Sequence, residues 1–496
     1  MRVVFLAAAL AAVLAAPVRA EPTAEGAEAW RALTRMDLEA HYQLLKHDHP
    51  GASPEAGDAA FVQALEAAHA EALARASRVT GIEGYGATLA GFAHALGDSH
   101  INSFMSVLPR TVAWAGIVAA RRGSGWVVAA DEPKLTGREL AGAEIVSCDG
   151  RPASELAKDV LRFHGNPAVT AEQALFGGWV LVDDGNPFVT RPKACVLRKD
   201  GMENTQTLTW KSISYATLRQ QYWKTPVGHA GFGLRQAAGG GYWISLEELD
   251  AHDQPVIDAV KAQAAAIRDA AFVVVDLRGN SGGDDNYART LAAALMGEDF
   301  VTDVLGPSSA GGGCAEVYRA SSGNADYLTR TARVFGGDGD VNAQKEYERG
   351  AAAIAVARAK GRNLTGAPVC AAPPKPAADR RRLSLARAPI LVLTDAACFS
   401  SCIDATWFFH DLGAVQVGQA TGGDTHYSEY RQEVLPSGLS TASTLTAIIP
   451  DAPAQIGPFE PQYAFDGDMA DTAALEAWVS GRIVPQLKTQ RAAARD

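Results

Sequence analysis

Two short apolar runs constrain the fold of this chain more than any other feature. They span Phe272–Asp276 and Ile390–Thr394, and each is rich in Val, Ile or Leu. Runs of this length and composition are typical of strands that are buried on both faces of a parallel sheet. Each run leads through a polar loop into a helical pattern. The sequence therefore predicts an α/β fold built from parallel crossover βαβ units.

The loops that follow these runs carry groups suited to acyl transfer. The first contains Gly282 and Gly283, whose backbone amides a substrate carbonyl can approach closely. The second contains Ser400, where a strand ends and a helix is predicted to begin. Open α/β sheets gather their sites at the carboxyl ends of strands, so we expect the two loops to lie side by side. A hydroxyl nucleophile would then face an anion-binding backbone.

Two simpler interpretations compete with this one. A serine at a helix start is more often a plain N-cap, and spacing alone favours that role for Ser400. The glycine loop on the expected neighbouring strand reverses this preference. A nucleotide-binding interpretation of that loop has little support, because the chain has neither Gly-x-Gly-x-x-Gly nor Gly-Lys-Ser/Thr here.

A family resemblance rests on three short blocks of sequence. They are Asp276-Leu-Arg-Gly-Asn-Ser-Gly-Gly283, Phe399-Ser-Ser-Cys402 and Leu96-Gly-Asp-Ser-His100, within a weaker likeness from Leu38 to Val479. Together they resemble the C-terminal processing (tail-specific) serine peptidases. The resemblance implies a ClpP/crotonase-like peptidase core, a peptide or protein substrate, and no cofactor or metal.

The resemblance assigns the nucleophile and the oxyanion hole. Ser400 follows the aromatic Phe399 and is therefore preferred as nucleophile over its neighbour Ser401. The backbone N–H of Ser401 would form the oxyanion hole, with Gly282 or Gly283 as the second donor.

The base distinguishes two branches of the family. Ser–Lys members carry a lysine after the next strand, whereas residues 418–426 of this chain contain none. The resemblance is therefore to the tricorn and retinoid-binding-protein branch, which implies His100 as general base and Ser99 as a residue that helps to orient its imidazole. His426 is a rival base.

The carboxylate expected to steer the base has no clear counterpart. Gln455 and Gln462 stand where the resemblance implies a glutamate and an aspartate, which leaves Glu429 and Glu460 as candidates. An imidazole with a weak orienting group still works, but more slowly. The departure supports a second hypothesis, a non-catalytic protein that binds a peptide or an apolar ligand. A third is an esterase or amidase that uses the same residues.

The first residues and the cysteines indicate export. Residues 1–20 combine a basic start, a short apolar run and a small-residue exit, which predicts a cleaved signal peptide and a periplasmic or secreted protein. Six cysteines then suggest disulfides, and proximity in sequence favours Cys148–Cys195 and Cys314–Cys370, leaving Cys398 and Cys402 around the nucleophile. A net charge of −11 argues against a nucleic acid partner.

Changes in pattern predict the domain organisation. Residues 21–106 read as a helical subdomain that carries the base, with Thr34 as the cap of its first helix. A β-rich segment follows, and its stretch 142–152 resembles the strand and turn of PDZ modules. The predicted boundaries are 1–20 for the signal peptide, 21–106 for the helical subdomain, 107–240 for the PDZ-like domain, 241–304 and 384–485 for the peptidase core, 305–383 for an insertion that could act as a lid, and 486–496 for a tail.

Overall fold

The computed structural model describes residues 26–107, 111–222, 231–306, 315–366, 384–450 and 452–493. The predicted signal peptide lies outside them. The first described elements are three helices: α1 (Ala27–Asp48), α2 (Ala59–Ala76) and α3 (Ile82–His94). Because α1 begins at Ala27, the predicted cap at Thr34 is wrong, and the Thr34 hydroxyl donates to the Trp30 carbonyl inside the helix (2.7 Å).

A β-rich segment follows. Its strands are β1 (Ser103–Met105), β2 (Thr111–Trp114), β3 (Ile117–Arg122), β4 (Gly125–Asp131), β5 (Glu144–Cys148), β6 (Arg151–Pro152), β7 (Val182–Asp183), β8 (Ala194–Lys199), β9 (Met202–Thr207) and β10 (Lys211–Ser214). The helices among and after them are α4 (Pro133–Thr136), α5 (Ala153–Leu161), α6 (Thr170–Phe176) and α7 (Tyr215–Tyr222). One sheet has the order β3-β4-β5-β8-β9, and the predicted disulfide Cys148–Cys195 joins β5 to β8. PDZ topology stays a prediction.

The predicted peptidase core begins after this segment. Its first elements are β11 (Gly233–Ala237), β12 (Gly241–Ser245), α8 (Gln254–Ala262), α9 (Ala264–Arg268), β13 (Val273–Asp276), α10 (Asn286–Met296) and α11 (Glu298–Leu305). The insertion then contributes β14 (Val317–Tyr318), α12 (Ser322–Gly337) and α13 (Val341–Ala359). The predicted pair Cys314–Cys370 lies outside the described residues.

The last part of the chain completes the core. Its elements are β15 (Ile390–Thr394), α14 (Ser401–Asp411), β16 (Val415–Gly418), β17 (Asp424–Thr425), β18 (Tyr427–Val434), β19 (Ser440–Ile448), β20 (Gln455–Ile456), β21 (Tyr463–Ala464), α15 (Thr472–Trp478) and α16 (Val484–Ala493). Among the described helices, none is long and apolar enough to cross a membrane.

The central sheet has the order β11-β12-β13-β15-β16-β21 and is parallel from β12 onward. Along β13, Val275 packs into one hydrophobic cluster and Val274 into the other, so the strand is buried on both faces. Strands β13 and β15 are direct neighbours, with Asp276 opposite Leu393. The α/β fold is confirmed, and the two loops that follow these strands leave the sheet side by side.

Candidate active site

Ser400 occupies a strained turn between β15 and α14. Its backbone has φ 53° and ψ −132°, a combination that residues other than glycine rarely adopt. Helix α14 begins at the next residue, yet the Ser400 side chain makes no capping hydrogen bond to it. This geometry argues against the plain N-cap role. Sharp strand-to-helix turns of this kind are used in hydrolases to present a nucleophilic hydroxyl.

The glycine loop after β13 packs directly against this turn. Gly282 has φ 110°, and a Cβ built on it would lie 2.8 Å from Ser400 Cβ and 2.9 Å from Ser401 N. The Ser401 hydroxyl donates to the Gly283 carbonyl (2.8 Å), which ties the two loops together. The Gly282 N–H donates to Asn280 Oδ1 (2.9 Å), so Gly283 is the better candidate for the loop's oxyanion donor.

His100 is brought to the same place from the N-terminal helical segment. Its backbone carbonyl accepts from Ser443 Oγ of β19 (2.7 Å), and β1, which follows it, pairs with the same strand. The imidazole lies beside the residue that precedes the nucleophile, with 4.8 Å between the ring centroids of His100 and Phe399. The rival His426 packs its ring against Tyr427 instead (4.5 Å).

Two carboxylates flank the imidazole. Nδ1 of His100 lies 3.2 Å from Asp424 Oδ1, an ion-pair distance although the two groups are not aligned as a hydrogen bond, and 3.7 Å from Asp98 Oδ1. Thr425 holds Asp98 by donating to its other oxygen (2.7 Å). Burial by itself lowers the pKa of His100, but Asp424 and Asp98 outweigh burial and hold that pKa well above its usual value.

Asp424 is the functional candidate that sequence reasoning missed. It lies on β17, which pairs with β20 so that Asp424 is opposite Ile456 and Thr425 is opposite Gln455. The carboxylate therefore comes from the strand beside Gln455, the position where the family resemblance implies a glutamate. Asp424 lies in residues 418–426, where Ser–Lys members of the family carry a lysine, and an aspartate there has no sequence signal of its own.

Two other predicted site residues have partners elsewhere, and a third is exposed. The Ser99 hydroxyl donates to Glu172 Oε1 (2.7 Å), which links the His100 segment to α6. Glu429 is buried, and its carboxylate faces the Tyr347 hydroxyl of the insertion (3.5 Å). Glu460 is exposed. Among these contacts, none places a carboxylate of Glu429 or Glu460 on His100.

The carboxylates and imidazole also form a group that could hold a metal ion. Ligand atoms of Asp98, His100 and Asp424 all lie within 4.8 Å of one another. The same three groups suit a half-buried histidine base and its orienting carboxylates equally well. The absence of a metal from the reaction stays a prediction.

Comparison with known proteins agrees with the fold. Residues 243–452 match the model of peptidase family S41. Two structures of mature CPAF are similar to this chain. The complex with lactacystin has a TM-score of 0.60 and 13% identity, and the match covers 93% of this chain and 98% of that one. Mature CPAF alone has a TM-score of 0.59 and 13% identity, and the match covers 91% of this chain and 96% of that one. The tricorn protease matches with a TM-score of 0.37 and 10% identity over 92% of this chain and 37% of its own. Among curated proteins, no sequence matches this chain.

The family match and the fold define a serine-type peptidase, a hydrolase of peptide bonds. Within that class, residues 243–452 carry a domain that matches peptidase family S41.

Proposed function

We propose that this chain is an exported endopeptidase that cleaves peptide bonds through an acyl-enzyme on Ser400. His100 is the general base, and Asp424 orients its imidazole and stabilises the protonated form. The N–H groups of Gly283 and Ser401 stabilise the oxyanion. The observation that carries the proposal is the strained Ser400 turn, which leaves the hydroxyl without a capping bond to its helix, while the ring of the preceding residue, Phe399, lies against the imidazole of His100 (4.8 Å).

The chemistry follows from which ring nitrogen faces which group. Nδ1 of His100 faces Asp424 (3.2 Å), so Nε2 is the nitrogen that takes the Ser400 proton. The alkoxide attacks the peptide carbonyl, and the negative charge moves to the carbonyl oxygen beside the two backbone donors. His100 then returns the proton to the leaving amine, and water repeats the sequence on the acyl-enzyme.

The presence of Asp424 weakens the case for a non-catalytic binding protein. That hypothesis rested on Gln455 and Gln462, which remove the carboxylates that the family resemblance implies. An aspartate from the paired strand restores a carboxylate at the base.

Export is supported by the two described disulfides, Cys148–Cys195 and Cys398–Cys402, because such bonds persist in oxidising compartments.

Ser400→Ala in the purified chain tests the proposal. We expect hydrolysis of an unfolded protein substrate to fall at least a thousandfold and labelling by a fluorophosphonate probe to disappear. Unchanged cleavage by Ser400→Ala would exclude Ser400 as the nucleophile. A wild-type chain that is not labelled and does not cleave would instead favour the binding protein. Turnover of p-nitrophenyl esters without cleavage of peptides would favour an esterase.

A further inference from the structure

The disulfide Cys398–Cys402 encloses the nucleophile. Cys398 lies in the loop before Ser400, and Cys402 lies in the first turn of α14, so the bond closes a small ring that contains Phe399, Ser400 and Ser401. Both cysteines are fully buried. Inside the ring, the Cys402 N–H donates to the Phe399 carbonyl (3.1 Å), and the Ile403 N–H donates to the Ser400 carbonyl (2.7 Å).

Without a constraint, a serine in this position has a more favourable conformation available. An N-cap serine normally has an extended backbone, and its hydroxyl accepts a hydrogen bond from an N–H of the first turn. Ser400 instead has φ 53° and makes no such bond. A residue in so sparsely populated a region persists only where its surroundings over-determine the backbone.

Two features of the structure supply that constraint. On one side, Gly282 packs so closely on the turn that even a methyl group on it would collide with Ser400 Cβ. On the other, the covalent ring fixes the separation between the loop and the helix. The glycine contact restricts where Ser400 can lie, whereas the ring restricts the φ and ψ of the residues inside it.

We infer that the Cys398–Cys402 disulfide is a positioning element for the nucleophile and makes the peptidase dependent on oxidation. The inference rests on the proposed function of Ser400. With the bond formed, Ser400 is held out of the N-cap conformation and its hydroxyl is presented towards His100. With the two thiols reduced, the turn relaxes, the hydroxyl caps α14, and attack on a carbonyl is lost.

The redox step is balanced by an ordinary thiol–disulfide exchange. Forming the bond removes two electrons and two protons from Cys398 and Cys402, and a disulfide oxidant of the export compartment takes them up. A dithiol reductant reverses the step and is itself oxidised to a disulfide. The chain would thus acquire its nucleophile geometry only after leaving a reducing compartment.

The double variant Cys398→Ala/Cys402→Ala tests the inference, with Cys148→Ala/Cys195→Ala as the matched control. The control also loses one buried disulfide, but from the β5–β8 pair. We expect the first variant to lose about ten- to a hundredfold in kcat and in fluorophosphonate labelling rate, with little change in KM, at a temperature where both variants are folded. The control should keep both rates. Equal losses in the two variants, or rates within twofold of wild type in the first, would overturn the inference.

A second measurement applies if the double variant does not fold. Wild-type protein is treated with dithiothreitol for increasing times, trapped with iodoacetamide, and mapped by mass spectrometry for each cysteine pair. Fluorophosphonate labelling should decline as the fraction of molecules with an open Cys398–Cys402 bond rises. It should recover when protein that was not trapped is reoxidised with oxidised glutathione. Full fluorophosphonate labelling of molecules with this bond open would overturn the inference.

Ser400→Ala separates the two proposals. If this variant stays active, the proposed function fails. If it is inactive while the cysteine variant is fully active, only the redox inference fails.

Discussion

Asp424 lies 3.2 Å from Nδ1 of His100, although the two residues come from opposite ends of the chain. The aspartate is carried on β17, whose partner β20 contains Gln455. A carboxylate thus reaches the base from the strand next to the one on which the family resemblance implies it. The proposed site keeps the acid–base chemistry of a serine peptidase while changing the residue that supplies the negative charge.

Asp424→Asn should lower kcat/KM by about a hundred- to ten-thousandfold, because the imidazolium formed during attack loses its main counter-charge. Measuring hydrolysis of a peptide substrate by wild type and variant checks this. Glu460→Gln, which changes an exposed carboxylate, is the matched control and should retain wild-type activity. Equal activity of Asp424→Asn and wild type would remove Asp424 from the site.

The pH profile gives an independent check on the same pair. The base must be neutral, and Asp424 and Asp98 hold the pKa of His100 well above its usual value, so kcat/KM should still be rising on the alkaline side of neutrality. Removing one charge by Asp424→Asn lowers that pKa and should move the rising limb to lower pH. A limb that does not move in the variant would show that another group titrates.

Gly282→Ala should reduce activity more than tenfold and also destabilise the fold. An added Cβ meets Ser400 Cβ at 2.8 Å and Ser401 N at 2.9 Å, and the backbone has φ 110°. Gly137→Ala is the control, since that residue also has positive φ (76°) but has open space around it. Measuring kcat/KM and thermal unfolding of the two variants separates the effect of the collision with Ser400 from the cost of placing alanine at positive φ. Similar losses of activity in both would contradict a close approach at the nucleophile.

Replacing Ser400 by glycine should produce a more stable protein than replacing it by alanine, by about 1 kcal/mol, because glycine tolerates positive φ. Neither variant should hydrolyse substrate. Chemical denaturation of both variants measures the difference in the free energy of unfolding. A Ser400→Gly variant that is less stable than Ser400→Ala would indicate that the turn carries no strain.

Acid should destabilise the fold through two buried histidines of the N-terminal segment. Burial lowers the pKa of His41 to about 4 and that of His49 to about 3, against 6.5 for an exposed histidine. The unfolded chain therefore binds protons that the folded chain excludes, so stability falls as the pH drops below about 6.5 and keeps falling towards pH 4. Denaturant unfolding at pH 7 and pH 5 tests the direction, and His49→Leu should reduce the difference between the two. A stability that rises towards pH 5 would contradict it.

The core of the fold could be predicted because its signals are local. Apolar runs such as Phe272–Asp276 need burial on two faces, and the loops that follow parallel strands must meet at one edge of the sheet. That reasoning predicts that Gly282, Gly283 and Ser400 lie together, and in the structure Gly282 packs against Ser400. One local signal gave a wrong prediction: Thr34 fits a helix cap, but α1 begins at Ala27, and Trp30 and Leu33 before Thr34 pack against the N-terminal hydrophobic core.

The sequence by itself therefore determined the α/β class, the two loops of the candidate site and the adjacency of the strands that carry them. Only the tertiary structure decided that Asp424 rather than Glu429 or Glu460 lies beside His100, and that Ser400 is strained instead of capping its helix. The physical reason is the distance along the chain over which each signal acts. Periodicity and turn residues act over a few neighbours, whereas a charge beside His100 depends on the pairing of β17 with β20 and of β1 with β19, which no local pattern encodes.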